Sequence, residues 1–192
     1  MRVFGKTGLK SLTLPAVFLL IVSMAFSSST VLAEDHLYSP DRIGRSHHLR
    51  LYHTHTGERL DIVYRDQQGY IPEALDQLDY FLRDHRTGEV RHYDPQVFDL
   101  LTDLKKAAGR PDAEIDIICG YRTPWSNNYL RTHSSGVAEH SLHMQAMAID
   151  IRIPGVKTAR LRAAALSLHR GGVGYYRASD FIHVDVGRVR RW

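Results

Sequence analysis

Two segments in the C-terminal half of the chain alternate aliphatic residues with residues that can bind metal, and this alternation constrains the fold most. In Phe181–Val186, His183 and Asp185 share one face of a predicted strand, and the aliphatic residues share the other. In Ala148–Ile153, the isoleucines occupy one face and Asp150 lies on the other. Such strands bury one face in a core and point histidine and aspartate side chains at a cleft.

His143, Asp150 and His183 are the residue types of a catalytic zinc site. Two histidines and one carboxylate supply three protein ligands, which leave a fourth coordination position for water. The loop between His143 and Asp150 is long enough to bring both side chains to one ion. Asp180 precedes His183 closely enough to act as the base for that water, and Asp185 is suited to orient His183. These residues indicate a zinc hydrolase.

Each assignment also has an ordinary structural explanation. The chain contains 12 histidines, so His143 can be a chance loop histidine and His183 a satisfied histidine of the core. Asp150 stands among isoleucines, where an unpaired carboxylate is costly. An ion pair with Arg152 or Arg122 would stabilise it without a metal. From these residues alone, both explanations stay open.

The first 33 residues are organised like a secretory signal peptide. A basic start is followed by an apolar, uncharged stretch from Leu12 to Phe26, and Val31–Ala33 supplies small or modest residues before a cleavage site. An uncleaved membrane anchor is the alternative, although this apolar run is short for a bilayer. We therefore expect a periplasmic protein without membrane attachment after cleavage. Residues 34–47 are predicted to form a flexible lead-in, and residues 48–192 a single domain.

Charge and cysteine content narrow the classes of partner. The chain has 25 basic and 21 acidic residues, but three of the basic ones lie in the signal peptide, which contains no acid. The remaining balance of 22 to 21 is nearly neutral, so nucleic acid is not an expected partner. Cys119 is the only cysteine, which excludes an internal disulfide. Its apolar surroundings predict a buried, inert thiol.

The order of the predicted elements favours an α+β fold with a mostly antiparallel sheet flanked by helices. Hydrophobic periodicity and turn signals define these elements. They are a hairpin at 48–64, helices from Pro72 and from Asp94-Pro95, a strand at 115–120, one helical turn at 127–131, a strand at 148–153, a helix at 158–169, and strands at 175–176 and 181–186.

The motifs around these residues resemble those of the M15-type zinc peptidases, whose relatives include D-alanyl-D-alanine carboxypeptidases and hedgehog-fold enzymes. The first is Ser-x-His-x6-Asp at 141–150, and the second is Asp-x-x-His at 180–183. Three further stretches resemble a MepK-like bacterial group of exported murein endopeptidases. These stretches are Leu49–Glu58, Tyr80–Gly88 and Gly120–Pro124.

The resemblance covers the chain from about His48 to Trp192 and implies a hedgehog or DD-peptidase-like fold. It implies one Zn²⁺ bound by the two histidines and the aspartate above, with Asp180 as general base. It also implies that Arg122 binds a substrate carboxylate or the developing oxyanion. The family motif has glycine where this chain has Ala146, and a positive φ there would add strain of about 1 kcal/mol.

The implied activity is hydrolysis of amide bonds in peptidoglycan cross-links that contain meso-diaminopimelate. A D,D- or L,D-carboxypeptidase that trims stem peptides is the nearest alternative, and a catalytically silent murein-binding protein is another. The sequence does not identify a regulatory adaptor or protease. His133 and His140 lie in the polar stretch before His143 and are candidates for substrate contact. The basic end around Arg190 and Trp192 has two explanations, a grip on an acidic polymer or simple solvation.

Overall fold

The structure is a computed structural model that describes residues 46–134 and 136–192. The predicted signal peptide at 1–33 lies outside the described residues, as does the predicted lead-in up to residue 45. His47, which we expected at the end of the lead-in, already belongs to the first strand. In the described ranges, no helix has the length and apolar character needed to cross a membrane.

The described residues form one sheet of eight strands in the order β3-β2-β1-β4-β5-β7-β6-β8. Five of its seven strand pairs are antiparallel, and β1–β4 and β6–β8 are parallel. The prediction of a mostly antiparallel sheet is therefore confirmed. The strands are β1 His47–His53, β2 Arg59–Asp66, β3 Gly69–Tyr70, β4 Glu114–Cys119, β5 Ala148–Arg152, β6 Gly172–Tyr176, β7 Phe181–Asp185 and β8 Arg190–Arg191.

Four α-helices accompany the sheet within the described ranges, and most begin where the sequence signals place them. The first has its proline at the start, and the second begins after Asp94, whose carboxylate accepts a hydrogen bond of 3.0 Å from the Gln96 amide. The prediction of a single helical turn at 127–131 was wrong. Thr123 caps a ten-residue helix there, because its hydroxyl accepts from the Ser126 amide. The helices are α1 Pro72–Phe81, α2 Gln96–Ala107, α3 Pro124–His133 and α4 Thr158–Ser167.

The aliphatic face of the central strands forms the core beneath the helices. Ile149, Ile151, Ile182 and Val184 are buried there, where α2 packs against β1 and α4 packs against β6 and β7. The strand period of two then places the alternating polar residues on the opposite face. This confirms the predicted alternation in both strands.

Strand register arranges the polar face. Asp150 on β5 lies directly opposite His183 on β7, and on its other side it lies opposite Cys119 on β4. The β4–β5 register shifts between Ile117 and Cys119, and this irregularity brings the cysteine level with the aspartate. Because neighbouring strands are about 4.8 Å apart, these side chains form a row across three strands.

Candidate metal centre

His143, Asp150 and His183, the three predicted ligands, converge on one point of the polar face. Asp150 Oδ1 lies 3.2 Å from His143 Nε2 and 2.9 Å from His183 Nδ1, and the two ring nitrogens are 3.1 Å apart. The aspartate and His183 come from neighbouring strands. His143 comes from a short 3₁₀ helix, Leu142–Gln145, which Ser141 caps through its hydroxyl.

Hydrogen bonds behind the two histidines determine which nitrogen faces the shared point. His143 Nδ1 lies 2.7 Å from the carbonyl oxygen of Gly120, so this nitrogen donates and Nε2 keeps its lone pair. His183 Nε2 lies 3.0 Å from Asp185 Oδ2, so Nε2 donates and Nδ1 keeps its lone pair. Two lone pairs and a carboxylate oxygen then face one another, an arrangement that a cation stabilises.

The spacing of the three donors matches a tetrahedral ion. Ligands at about 2.0–2.1 Å from zinc in tetrahedral geometry are about 3.3 Å apart. The observed separations of 2.9–3.2 Å are close to that value. The residues present therefore fit a divalent ion that binds nitrogen and oxygen, with one coordination position left for water or substrate.

Electrostatics keep the carboxylate of this group ionised. Burial alone would raise the pKa of Asp150, but His143 and His183 outweigh it and hold that pKa well below its usual value. Burial lowers the pKa of His143, which favours the neutral ring that a metal requires. Burial would also lower the pKa of His183, but hydrogen bonds to Asp150 and Asp185 raise it instead.

Asp185 fixes the orientation of His183 and is itself held on every side. Its Oδ1 accepts hydrogen bonds of 2.9 Å from the amides of Gly172 and Gly187. Arg190 donates to both of its oxygens, at 3.0 and 2.7 Å. The carboxylate is fully buried, so these four donors offset the cost of desolvating its charge. This geometry agrees with the orienting role predicted for Asp185.

The C-terminal residues are part of this support. Arg190 stacks over the ring of Trp192, and that ring lies 5.2 Å from the ring of His183. Gly174 makes room for the tryptophan, because a Cβ there would come within 2.7 Å of the Trp192 ring. Simple solvation was one of the two explanations for this basic end. It does not hold for Arg190, because that side chain is paired with Asp185.

Cys119 lies closer to the ligands than the sequence indicated. Ligand atoms of Cys119, His143 and Asp150 all lie within 4.8 Å of one another. Burial raises the pKa of the thiol to about 12, so the sulfur is protonated and a poor nucleophile near neutral pH. The predicted buried thiol is confirmed, but its place beside the ligands follows from the β4–β5 irregularity, which no sequence signal revealed.

Ala146 has a left-handed backbone conformation, which glycine adopts without a steric cost. It ends the 3₁₀ helix that carries His143, with φ 53° and ψ 41°. The side chain is fully buried. The positive φ considered for this position is therefore present, and alanine has a steric cost there that glycine avoids.

The structure does not place Asp180, the predicted base, among the residues of the site. Asp180 is exposed, does not line the cavity described next, and accepts a hydrogen bond from the Thr158 hydroxyl of α4. Asp180 lies just before β7, where it ends a short 3₁₀ turn in a left-handed backbone conformation with φ 53° and ψ 48°.

A cavity of about 570 Å³ opens over the donors, with Asp150 and His183 in its lining. Arg122 also lines it, is only 8% exposed, and has no hydrogen-bond partner for Nε among the described residues. His140 lines the cavity as expected. His133 does not, because its ring stacks on Tyr129 on the exposed side of α3.

Known proteins have sequences similar to that of this chain. A family described as "Peptidoglycan L,D-endopeptidase MepK" (Peptidase_M15_2) matches residues 42–192. The chain is 45% identical over 137 residues to a "Probable peptidoglycan L,D-endopeptidase MepK" of Haemophilus influenzae, which covers 71% of this chain and 74% of that protein. It is 42% identical over 144 residues to "Peptidoglycan L,D-endopeptidase MepK" of Escherichia coli K12, a match that covers 75% of this chain and 79% of that protein. The chain therefore belongs to the MepK family of M15-type metal-dependent peptidases.

Proposed function

We propose that this chain is a periplasmic zinc peptidase that hydrolyses amide bonds in the peptide cross-links of peptidoglycan. The observation that carries the proposal is the set of three converging donors, His143, Asp150 and His183, beneath an open cavity. Three protein ligands and an open side are typical of catalytic zinc sites. The names of the curated relatives favour an L,D-bond, which we place at links that contain meso-diaminopimelate.

The donor set favours zinc among the common divalent ions. Imidazole nitrogens suit zinc, copper, iron and nickel, whereas magnesium and calcium prefer sites built from oxygen alone. When bound, zinc acts as a Lewis acid that activates water and polarises a carbonyl group. His143 and His183 would hold it in neutral form, and Asp150 would contribute the negative charge.

Arg122 is the residue best placed to bind negative charge during the reaction. Its guanidinium is buried in the cavity wall, and Nη2 donates a hydrogen bond of 3.3 Å to the Ser141 hydroxyl. Arg122 forms no ion pair with a carboxylate in the part of the chain that the structure describes. A positioned donor of this kind stabilises an oxyanion more in a water-excluded site than in bulk water. We assign it to the developing oxyanion or to a substrate carboxylate next to it.

Proton transfer falls to groups in the cavity, since Asp180 points towards α4. Three imidazoles outside the donor set line the cavity, those of His55, His85 and His140. A neutral imidazole accepts a proton near physiological pH. His140 belongs to the segment that leads into His143, so it is the first of the three to test. If it transfers the proton, His140→Gln should change the dependence of turnover on pH.

The decisive experiment is mass spectrometry of muropeptides released from purified sacculi by the protein. It is run as purified, after chelation, and after zinc is restored. Conversion of cross-linked dimers to monomers that stops with chelator and returns with zinc supports the proposal, and fragment masses identify the bond. Release of terminal alanine alone would indicate a carboxypeptidase. Intact dimers with bound zinc and folded protein would contradict hydrolysis and favour a binding role.

A further inference from the structure

Two of the motifs found in the sequence, Leu49–Glu58 and Tyr80–Gly88, supply no metal ligand, but both contribute residues to the same cavity. His55 follows β1 and His85 follows α1, yet their rings stack in parallel, with centroids 4.1 Å apart and an interplanar angle of 8°. His53 packs edge-on against both, at 6.1 and 5.9 Å. We call these three residues the histidine wall. Both motifs therefore contribute to one surface, although 30 residues separate them.

The histidine wall stands to one side of the metal donors. His55, His85 and the adjacent Arg86 line the cavity together with Asp150 and His183. In the sheet, β4 lies between β1, which leads into the wall, and β5, which carries Asp150. Two strand spacings amount to about 10 Å. An extended peptide covers about 3.3–3.6 Å per residue, so a group roughly three residues from the scissile amide would reach the wall.

The charges that line the cavity favour an anionic ligand. Asp150 is the one carboxylate among the described lining residues, and both of the metal-binding histidines engage it. Arg86, Arg122 and Arg190 also line the cavity. Arg190 is paired with Asp185, but Arg86 is exposed and forms no ion pair with any described residue. Arg86 and Arg122 are thus cationic groups of the cavity that its lining carboxylate does not neutralise.

Arg86 supplies the positive charge of the wall, because His85 is neutral near physiological pH. Burial lowers the pKa of His85 to about 4, assisted by repulsion from His55 and Arg86. The stacked rings of His55 and His85 give a flat surface beside the arginine. A guanidinium next to such a surface can bind a carboxylate through two parallel hydrogen bonds.

Asp84 holds Arg86 in place without neutralising its side chain. Its buried carboxylate accepts a hydrogen bond of 2.9 Å from the Arg86 backbone amide. Its other oxygen accepts from the amide and hydroxyl of Thr123, both at 2.8 Å. Burial opposes ionisation, but these hydrogen bonds prevail and lower the pKa of Asp84. One carboxylate therefore ties the Arg86 loop to the segment that carries Arg122.

We propose that Arg86, which lines the cavity beside the histidine wall, binds a free carboxylate of the substrate on that side of the cavity and so selects acidic peptides. The substrate class is a peptide that carries a carboxylate roughly three residues' length from the scissile amide, as a dicarboxylic amino acid in a cross-link does. This inference rests on the proposed function. It assigns to Arg86 recognition of the substrate, separate from the chemistry at the metal.

The test pairs one substitution with one change in the substrate. Two cross-linked peptides are compared, one with free diaminopimelate carboxylates and one with those carboxylates converted to amides. For the free acid, Arg86→Gln should raise KM about 10–100-fold and leave kcat unchanged, because a hydrogen bond to a charged group is lost. For the amide, wild type should already bind weakly and Arg86→Gln should change KM little. Arg91→Gln, an exposed arginine that lies outside the cavity lining, is the matched control.

Equilibrium binding separates this inference from the proposed function. Fluorescence anisotropy with the labelled peptides and metal-free protein reports recognition even if nothing is cleaved. Selective loss of free-acid binding in Arg86→Gln, with partial recovery in Arg86→Lys and unchanged thermal unfolding, supports the carboxylate subsite. Equal losses for acid and amide, or no loss for either, would overturn it. If wild type binds the acid through Arg86 but releases no product, the hydrolytic function fails and the subsite stands.

Discussion

The two sides of the cavity differ in how their polar groups are partnered. On the metal side, each ring of His143 and His183 has one nitrogen bound from behind, and Asp185 is held by two amides and by Arg190. On the histidine-wall side, Arg86 has no carboxylate partner and His53 Nε2 is buried without a hydrogen bond among the described residues. The first side has its geometry fixed in advance, and the second keeps donors free.

This difference matches two different tasks. A metal ion tolerates little displacement of its ligands, so supporting hydrogen bonds are needed behind each one. A flexible peptide brings its own hydrogen-bonding groups, so donors on the recognition side have to remain unpaired until it binds. We therefore expect substitutions on the metal side to change metal content, and those on the other side to change kinetics or pH response.

The largest effect is expected from loss of a ligand on the metal side. His183→Ala removes one of three donors and leaves Asp150 beside a single histidine, so bound metal should fall from about one ion per chain to nearly none. Elemental analysis after dialysis measures this, with His133→Ala as the control that lies outside the cavity. Unchanged metal content in His183→Ala would show that the ion is bound elsewhere.

Arg122 should give the opposite signature, lost turnover with full metal content. Arg122→Gln removes the buried guanidinium, and loss of one oxyanion donor costs about 10²–10³-fold in kcat. Asp180→Asn is the companion variant, and its turnover should match wild type because its side chain binds Thr158. An inactive Asp180→Asn variant with full metal content would restore Asp180 as the base, and normal turnover in Arg122→Gln would remove Arg122 from the reaction.

The contrast between these two residues shows what the sequence could and could not predict. Alternation in β5 and β7 predicted the metal side, because strand parity is a local property that places Asp150 and His183 on one face. Asp180 lies before β7, so this alternation does not place its side chain. The proximity of Cys119 depends on a β4–β5 irregularity, and the stacking of His55 on His85 depends on tertiary packing. Neither leaves a periodic signal in the sequence.

Substitution of a residue that supports a ligand should reduce metal affinity less than substitution of the ligand itself. Arg190→Gln leaves the buried Asp185 carboxylate short of two hydrogen bonds, which loosens His183. Outer partners of this kind typically change metal affinity about 10–100-fold. Competition with a chromophoric chelator measures the change, and Arg191→Gln, exposed on the same strand, is the control. Equal affinities for both variants would mean that Asp185 does not need Arg190.

The histidine wall should respond to pH through His53. Burial, together with repulsion from His55, lowers the pKa of His53 to about 4, against 6.5 for an unperturbed histidine. The unfolded chain therefore binds more protons between about pH 4 and 6.5, so the free energy of unfolding falls as pH is lowered through that window. His53 alone is expected to contribute about 2 kcal/mol to the loss between pH 7 and pH 5.

His53→Asn tests the origin of that loss. The asparagine oxygen can replace Nδ1 as the acceptor for the amides of His55 and Thr56, and it does not titrate. Urea unfolding at pH 7 and pH 5 should therefore show a smaller drop in the variant. A drop as large as that of wild type would assign the pH dependence to other groups, His85 among them.

The smallest effect concerns the backbone beneath the metal side, where Ala146 has a positive φ. Glycine would relieve about 1 kcal/mol of strain, but removing a buried methyl costs about 0.8 kcal/mol, so the two terms nearly cancel. Ala148→Gly removes an equally buried methyl from β5 without relieving a positive φ. Ala146→Gly should thus be less destabilising than Ala148→Gly by about 1 kcal/mol in denaturant unfolding, with metal affinity unchanged. Equal losses in the two variants would mean that the 3₁₀ turn under His143 is not strained.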